Sequence, residues 1–517
     1  MTHIRRDVYK LPPGDKTLEW YGKAVLALRQ RDLTKANSWT YLAAMHGANE
    51  NLYRQAGYIT AATHFPTPLP AAPAWNQCQH QSWFFLPWHR GYLAAFEAIV
   101  RDVIADMPGG PSDWALPYWN YNDTHNPDRL KMPDAFAQPT LPNGDPNGLY
   151  VERRFGETDG PIVLDDDRIE IRPALLSRRF TGVETGSTAG FGGPATPFWH
   201  GGGTGGILEG EPHNNVHGMV GGAIRNAAGA IVFGLMSRPD TAALDPIFWL
   251  HHANIDRLWS VWLKRDPARN KNPADNDWMK GPKDIRFTMP EIDGSSFNFS
   301  PADMLDTTAP NLDYDYEDTS DPFPGGNRLV DRLVAVQAAP KMLAAAKSLQ
   351  PMAQKTELVG SYAQPLRLGP APVTATVSLD QVTQKKVLGN TASAFNLDTP
   401  KTPDRVFVNV ENIRGSNDAA SFFVYVNLPE GADPKSYPDH RARAFTLFGV
   451  DQASKADGPH GGNGLTEVIE ITEVVDKLQA KGALDPDKIA VTLVPANDVQ
   501  MQDDISVGAI SVYRQSD

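Results

Sequence analysis

The stretch Asp245–Trp262 reads Asp-Pro-Ile-Phe-Trp-Leu-His-His-Ala-Asn-Ile-Asp-Arg-Leu-Trp-Ser-Val-Trp, and it decides the fold that the chain is expected to adopt. Asp245 can cap exposed backbone N–H groups, and Pro246 suits the first position of a helix, where its missing N–H is no loss. The apolar residues that follow predict a helix that is buried on most sides; they are Phe248, Trp249, Ile255, Leu258, Trp259 and Trp262.

Four polar residues interrupt this apolar helix: His251, His252, Asn254 and Asp256. A buried polar group raises the free energy of the folded state unless it finds a partner. These side chains therefore need partners from elsewhere in the chain, and two adjacent histidines raise the question of a metal ion.

The bulk composition narrows the class of protein. At 517 residues the chain exceeds the size at which a single core stops growing, so two domains or one enlarged domain are expected. A net charge of −13 argues against nucleic acid or an anionic membrane as the main partner. The sequence has no apolar run of about 18 residues and no secretory signal at its start, which favours a cytoplasmic location; export by a partner protein would leave the same pattern.

The first 260 residues are predicted to be mainly helical. Helices are expected over 18–30 and 37–55, and from Pro87 to about Ala105. Trp39, Leu42, Ala43 and His46 share one face of the second helix, so His46 is predicted to point inward. Between 120 and 206 the pattern is irregular. The glycine run Gly201–Gly206 formally satisfies G-x-G-x-x-G, but no strand precedes it, and we predict a flexible loop there.

The C-terminal part of the chain changes from helical to strand periodicity. Residues 334–358 are predicted to form a linker between a domain at 1–333 and a second domain at 359–517. In the second domain, strands are predicted at 373–379, 405–411, 421–427, 489–494 and 505–512. This pattern is typical of an antiparallel β-sandwich or jelly roll.

The histidines form two sets. His213 and His217 are spaced i and i+4, which places both imidazoles on one helix face, and one histidine from the 245–262 helix could complete a three-histidine metal site. A solvated helix face would explain the pair equally well. His46, His80 and His89 could supply a second site of the same kind. Six imidazoles suit copper, zinc, iron or nickel, and the spacing does not choose among them.

Taken together, these motifs resemble the type-3 copper proteins, which are tyrosinases, catechol oxidases and haemocyanins. The resemblance covers about residues 1–320 and rests on two motifs in order. The first is His46, Cys78-x-His80 and His89; the second is His213-x3-His217 with Asp245-Pro-Ile-Phe-Trp-Leu-His-His-Ala-Asn-x-Asp-Arg-Leu-Trp259. Tyr314-x-Tyr316 resembles the tyrosine motif that closes the family's catalytic domain, and Arg5 or Arg6 resembles the arginine beside it.

The resemblance implies a mainly α N-terminal domain, in which a four-helix bundle with long loops holds two copper ions. His46, His80 and His89 would hold copper A, and His213, His217 and His252 would hold copper B. His251 would stand behind the ligands, with Asn254 and Asp256 as candidates to orient them.

Other family roles transfer by position. Cys78, the only cysteine, would form a thioether with His80, or would remain a thiol. Glu209 and Asn214 would hold a water that accepts the phenolic proton; otherwise Glu209 caps a helix and Asn214 is simply polar. Phe248 would contribute to an apolar wall that excludes water. Pro239 falls near the family's gate position over copper A.

The function that the resemblance implies is that of a tyrosinase, a copper-dependent monooxygenase and o-diphenol oxidase. Its partners would be dioxygen and small phenols or catechols, and the protein could be a homo-oligomer. A catechol oxidase, a haemocyanin-like oxygen carrier and a zinc hydrolase are the alternatives. The β-rich C-terminal domain is similar to that of polyphenol oxidases, where it would be a lid over the copper site or would serve assembly and stability.

Overall fold

The structure of the protein is a computed structural model that describes residues 2–66, 74–141, 143–182, 185–197, 203–281, 287–335, 355–379, 404–457, 461–485, 487–496 and 504–516. Helices α1 to α12 of these ranges are Thr17–Arg29, Trp39–His46, Glu50–Gln55, Phe85–Ala105, Arg172–Leu175, Asn215–Gly221, Pro239–Ala242, Ile247–Arg265, Asn276–Met279, Arg328–Ala335, Val450–Ala453 and Thr472–Ala480. Strands β1 to β16 are His3–Arg5, Ala223–Arg225, Ile231–Phe233, Phe287–Pro290, Ser296–Phe299, Tyr314–Tyr316, Lys355–Tyr362, Leu366–Leu368, Val373–Ser378, Arg405–Ile413, Ser421–Val426, Arg441–Thr446, Leu465–Glu470, Lys488–Pro495, Ile505–Val507 and Ala509–Ser516.

The helical unit comprises Met1–Ile171, Ala195–His200 and Glu211–Asp321. Helices α1 and α8 of this unit both pack against helix α4. The ring of Trp249 on α8 stacks on that of Phe96 on α4, with the ring centroids 3.4 Å apart. Buried aromatic side chains contribute much of the apolar surface that a core removes from water. The apolar face predicted for the 245–262 stretch is therefore what joins α8 to α4.

The helix predicted over 37–55 is wrong, because the chain forms two helices, α2 and α3, with a break between them. Gly47 ends α2 in an extended conformation, and Asn49 caps α3 by accepting a hydrogen bond from the Leu52 N–H at 3.2 Å. A Cβ atom on Gly47 would lie only 2.6 Å from the Cα of Asp240. A close approach to α7 therefore accounts for the break.

The N-terminal strand β1 closes the helical unit by pairing in parallel with β6. His3 pairs with Tyr314 and Arg5 pairs with Tyr316. The guanidinium of Arg5 lies 3.4 Å from the centroid of the Tyr314 ring and forms an ion pair with Glu97 at 2.5 Å. Arg6 is exposed, so Arg5 is the arginine that packs beside the tyrosine pair.

The second unit comprises Arg172–Pro194, Gly201–Gly210 and Pro322–Asp517. In its described ranges, two four-stranded antiparallel sheets have the strand orders β13-β10-β16-β7 and β12-β11-β14-β9. Alternate side chains of both sheets, such as Val408 and Val491, share one apolar core. Stacked sheets of this kind bury one face of each strand.

The second unit differs from the sequence prediction at several elements, and β8, β12, β13 and α11 were not predicted. The strand predicted over 505–512 is two strands that separate at Gly508, where a Cβ atom would lie 2.9 Å from the Cβ of Asn412. Helix α12 was not predicted. Of the linker predicted at 334–358, residues 336–354 lie outside the described residues, while 334–335 end α10 and 355–358 begin β7. Helix α10 is held to α12 by an ion pair of 2.7 Å between Arg332 and Asp476.

None of the helices in the described part of the chain combines the length and the apolar composition needed to cross a lipid bilayer.

Candidate metal centre

Two groups of buried side chains in the described residues could each hold a metal ion. One consists of His46, Cys78, His80 and His89, and the other of His213, His217, His251 and His252. Within each group, one ligand atom from every residue lies within 4.8 Å of the others. Both groups lie in the helical unit.

Backbone carbonyls orient two histidines of the first group, His46 and His89. His46 is the last residue of α2, and its Nδ1 lies 2.8 Å from the carbonyl oxygen of Pro239. His89 lies in the second turn of α4, with Nδ1 2.7 Å from the carbonyl oxygen of Phe85. A ring that donates its Nδ1–H to a carbonyl keeps the lone pair on Nε2 for a metal ion.

Cys78 lies between two of these histidines. Its Sγ is 3.6 Å from Nδ1 and 3.8 Å from Nε2 of His80, and 3.5 Å from Nε2 of His89. The carbon between the two ring nitrogens of His80 is therefore the ring carbon that faces the sulfur.

In the second group, three Nε2 atoms converge. His252 Nε2 lies 3.2 Å from His213 Nε2 and 3.3 Å from His217 Nε2. The Nδ1 atoms of the other two rings have their own acceptors: the side-chain oxygen of Asn214 at 2.9 Å from His213, and the carbonyl of Met236 at 2.9 Å from His217.

His251 is placed differently from His252. Its Nδ1 lies 3.1 Å from the hydroxyl of Tyr121, and its ring stacks on the ring of His213 with centroids 5.4 Å apart. Tyr121 is fully buried. Sequence reasoning did not find Tyr121, because it lies 130 residues before His251 and no local pattern marks it.

The two histidine groups adjoin each other. The rings of His89 and His252 stack with centroids 4.5 Å apart and planes 15° apart. Burial, followed by the neighbouring imidazoles, lowers the pKa of His89, His213, His217 and His252 well below the ordinary value. A buried imidazole is therefore neutral, which is the form that binds a metal. The donor set fits a pair of transition-metal ions.

Asp256, one helical turn after His252, is the centre of a buried network of hydrogen bonds and ion pairs. Asp256 accepts hydrogen bonds from Tyr314 Oη at 2.5 Å, Tyr316 Oη at 2.6 Å and Arg90 Nε at 2.6 Å. Burial alone would raise the pKa of Asp256, but the guanidinium groups of Arg90 and Arg5 outweigh it and hold the pKa below the usual range. Asn254 accepts a hydrogen bond from Arg257 at 3.0 Å. Asp256 and Asn254 thus bind arginines. The Nδ1 atoms of His46, His89 and His217 have backbone carbonyls as acceptors, and that of His213 has Asn214.

The remaining predicted site residues are all buried. Glu209 begins the kinked helical segment Glu209–Asn214, and its carboxylate lies 3.4 Å from the N–H of Gly206. The Phe248 ring lies 4.1 Å from the ring of His252 and 4.9 Å from that of His46. Pro239 contributes its carbonyl to His46. Phe85, which the sequence did not single out, lies 4.6 Å from the ring of His89 and 4.8 Å from that of His213.

Comparison with known proteins agrees with this geometry. The family model for the common central domain of tyrosinase matches residues 36–164 and 168–265, and a domain of unknown function matches residues 355–515. The chain is 32% identical over 529 residues to a tyrosinase of Hahella sp. (strain CCB-MM4), with 99% of both chains covered. It is 27% identical over 431 residues to a chloroplastic polyphenol oxidase of Malus domestica, covering 80% of this chain and 64% of that one.

A solved structure shares the whole fold. Latent apple tyrosinase has a TM-score of 0.58 and 21% sequence identity, with 100% of this chain and 98% of that chain covered. The fold confirms the predicted combination of a helical part with a β-rich C-terminal region.

The helical unit and its adjoining histidine groups define a binuclear copper protein. The chain belongs to the tyrosinase and polyphenol oxidase family, and it is accordingly a copper-dependent oxidoreductase with two copper ions.

Proposed function

We propose that the protein is a tyrosinase, which uses dioxygen to hydroxylate monophenols ortho to the hydroxyl group and to oxidise o-diphenols to o-quinones. The observation that carries this proposal is the stacking of His89 on His252, 4.5 Å apart, because it brings the two histidine groups close enough to act on one small molecule. The tyrosinase of Hahella sp. supports it through 32% identity along the whole chain.

We assign the ligands of copper A as His46, His80 and His89, and those of copper B as His213, His217 and His252. The convergence of three Nε2 atoms supports His252 rather than His251 in the second set. Two bound copper ions would supply the redox chemistry that activates dioxygen. The carbonyls and the amide that accept from the Nδ1 atoms hold the rings of His46, His89, His213 and His217 in one tautomer and one orientation.

The phenolic proton needs an acceptor, because a phenol with a pKa of about 10 is protonated at neutral pH. We assign this role to Glu209, acting through a water that is shared with Asn214. Glu209 is buried, so its carboxylate is shielded from bulk water. Asn214 accepts from His213 through its oxygen, so its NH2 group is the side that would face the water. Phe248 and Phe85 keep bulk water away from the reacting ring.

A catechol oxidase, which oxidises diphenols and hydroxylates monophenols poorly, is the second candidate. The similarity to a polyphenol oxidase of Malus domestica favours it. Oxygen uptake with a monophenol and with the matching catechol separates the two: a tyrosinase consumes oxygen with both, whereas a catechol oxidase consumes it rapidly only with the catechol.

Glu209→Gln tests the acceptor assignment. We expect the ratio of monophenol to diphenol turnover to fall about a hundred- to ten-thousandfold, the usual contribution of a general base. The control is Glu291→Gln, since Glu291 is exposed and begins the turn between β4 and β5 of the helical unit. An unchanged ratio in the Glu209 variant would show that the proton goes elsewhere.

We further propose several properties of the whole protein. They are a cytoplasmic location, dioxygen and small phenols as partners, a homo-oligomer, a catalytic domain at 1–333 and a lid-like C-terminal domain at 359–517.

A further inference from the structure

The glycine run before Glu209 is anchored to the β-rich unit. The N–H of Gly203 donates to the carbonyl of Gly464 at 3.2 Å, and the carbonyl of Gly203 accepts from the N–H of Thr466 at 2.9 Å. These bonds form a bridge to Leu465, the buried first residue of β13. Within the predicted loop, Gly203 is therefore held by two backbone hydrogen bonds, while Gly201 and Gly202 lie outside the described residues.

The other end of the run packs on the carboxylate of Glu209. The N–H of Gly206 lies 3.4 Å from Oε2 of Glu209. A Cβ atom on Gly205 would lie 3.2 Å from the same oxygen, and one on Gly206 would lie 2.7 Å from the backbone nitrogen of Gly193. Only glycine lets the backbone approach the carboxylate this closely without displacing it.

Ile207 and Leu208, which lie between Gly206 and Glu209, are also held by backbone hydrogen bonds. Ile207 donates to the carbonyl of Gly190 at 2.8 Å, and Leu208 donates to that of Phe191 at 3.3 Å. All of these partners belong to the β-rich unit. The segment from Gly203 to Glu209 is thus fixed at its start, in its middle and at the carboxylate.

We propose that Gly203–Glu209 is a positioning strap: backbone contacts within the β-rich unit, to which the whole segment belongs, set the place of the Glu209 carboxylate. The proposal rests on the role of Glu209 as proton acceptor. It makes Gly203 and Gly205 positioning residues for monophenol hydroxylation.

Two variants of the full-length, copper-loaded protein test the strap at its two ends. Gly203→Pro removes the bridge, because proline has no N–H and cannot adopt the φ of +102° found at Gly203. Gly205→Ala pushes the carboxylate by a few tenths of an ångström. The matched control is Gly160→Pro, since Gly160 has a φ of +103° and, like Gly203, has no atom within 4 Å of a Cβ position.

The readouts are the ratio of monophenol to diphenol turnover, the copper content and hydrogen exchange at Thr466 and at residues 206–210. Misplacing a reacting group by 1 Å lowers a rate roughly a hundredfold, so we expect each strap variant to lower the ratio about three- to tenfold while both copper ions are kept. Gly203→Pro is also expected to speed hydrogen exchange at Thr466.

The strap is disproved if Gly203→Pro speeds exchange at Thr466 and leaves the turnover ratio unchanged. An equal fall of the ratio in Gly160→Pro also disproves it, because general backbone strain would then be the cause. Glu209→Gln separates this failure from that of the proposed function. If Glu209→Gln lowers the ratio and the strap variants do not, only the strap is wrong; if Glu209→Gln has no effect, the acceptor role itself is wrong and the strap loses its purpose.

Discussion

Arg90 and Asp256 form a buried ion pair that joins the two central metal-site helices, with Nε 2.6 Å from Oδ1. Arg90 directly follows His89 on α4, and Asp256 lies one helical turn after His252 on α8. Arg90 also donates to the carbonyl of Met304 at 2.9 Å. The spacing between the helices that carry His89 and His252 therefore depends on this pair.

Asp256→Asn is expected to destabilise the helical unit. The variant leaves Arg90 buried without its counter-charge, whereas Arg5 keeps Glu97, and breaking a buried ion pair in this way lowers the free energy of unfolding by about 3–5 kcal/mol. Because the folded-state pKa of Asp256 is depressed, its contribution is present above the unfolded-state pKa and is lost as the pH falls through the folded-state pKa. Urea unfolding at neutral pH measures the loss. Exposed Asp113 is the matched position, and Asp113→Asn should leave stability unchanged.

His252→Ala and His251→Ala should differ in copper content. Removing His252 takes away one of three converging Nε2 atoms, so we expect that variant to retain a single copper ion per chain. His251 has Nδ1 hydrogen-bonded to Tyr121, and its variant should keep two copper ions. Elemental analysis of the purified proteins decides between them, and the reverse pattern would overturn the ligand assignment.

Cys78 and His80 are expected to be covalently joined in the copper-loaded protein. The sulfur lies 3.6 and 3.8 Å from the two ring nitrogens, so it faces the carbon between them. A thioether forms when the S–H and the ring C–H each lose a hydrogen, with dioxygen as the oxidant. The peptide that contains both residues should be lighter by two hydrogen atoms in mass spectrometry. Recovery of that peptide at full mass, with Cys78 alkylated by iodoacetamide, would exclude the bond.

Asp7→Asn should stabilise the protein in a pH-dependent way. Burial raises the pKa of Asp7 to about 6, and within the described residues no hydrogen-bond partner of its Oδ2 is found. A raised folded-state pKa means that the contribution of Asp7 is fully present below 3.8 and is lost as the pH rises through about 6. Replacement by asparagine should therefore give no gain in unfolding free energy near pH 3.8. Above pH 6 the gain should reach on the order of 1–3 kcal/mol.

Urea unfolding at several pH values measures this gain. Asp128→Asn, at an exposed position of the same unit, is the control. A gain that does not depend on pH would mean that the charge of Asp7 is not its cause.

Local spacing predicted much of the candidate site. The i+7 position of His46 correctly indicated a buried side chain, and the i,i+4 spacing of His213 and His217 correctly placed both imidazoles in one group. These predictions depend only on helix periodicity, which the sequence carries directly. The strands at 373, 405 and 421 were likewise found at their predicted starts, because alternation over several residues marks them.

Contacts between distant parts of the chain could not be predicted. The break at Gly47 follows from the approach of Asp240, 193 positions later, and the hydrogen bond between Tyr121 and His251 spans 130 residues. The bridge at Gly203 likewise depends on Leu465. No local pattern reports such pairs, and the partners of Gly203 lie more than half the chain away.

The pairing of β1 with β6 also determines when the helical unit can be completed during synthesis. The hydroxyl of Tyr316, which accepts a hydrogen bond from Arg5, leaves the ribosome 311 residues after its partner. At the usual speed of translation this is a delay of roughly 15 to 60 s. The first strand to emerge is thus among the last of its unit to find its place, and the hydrogen bond from Arg5 to Tyr316 can form only then.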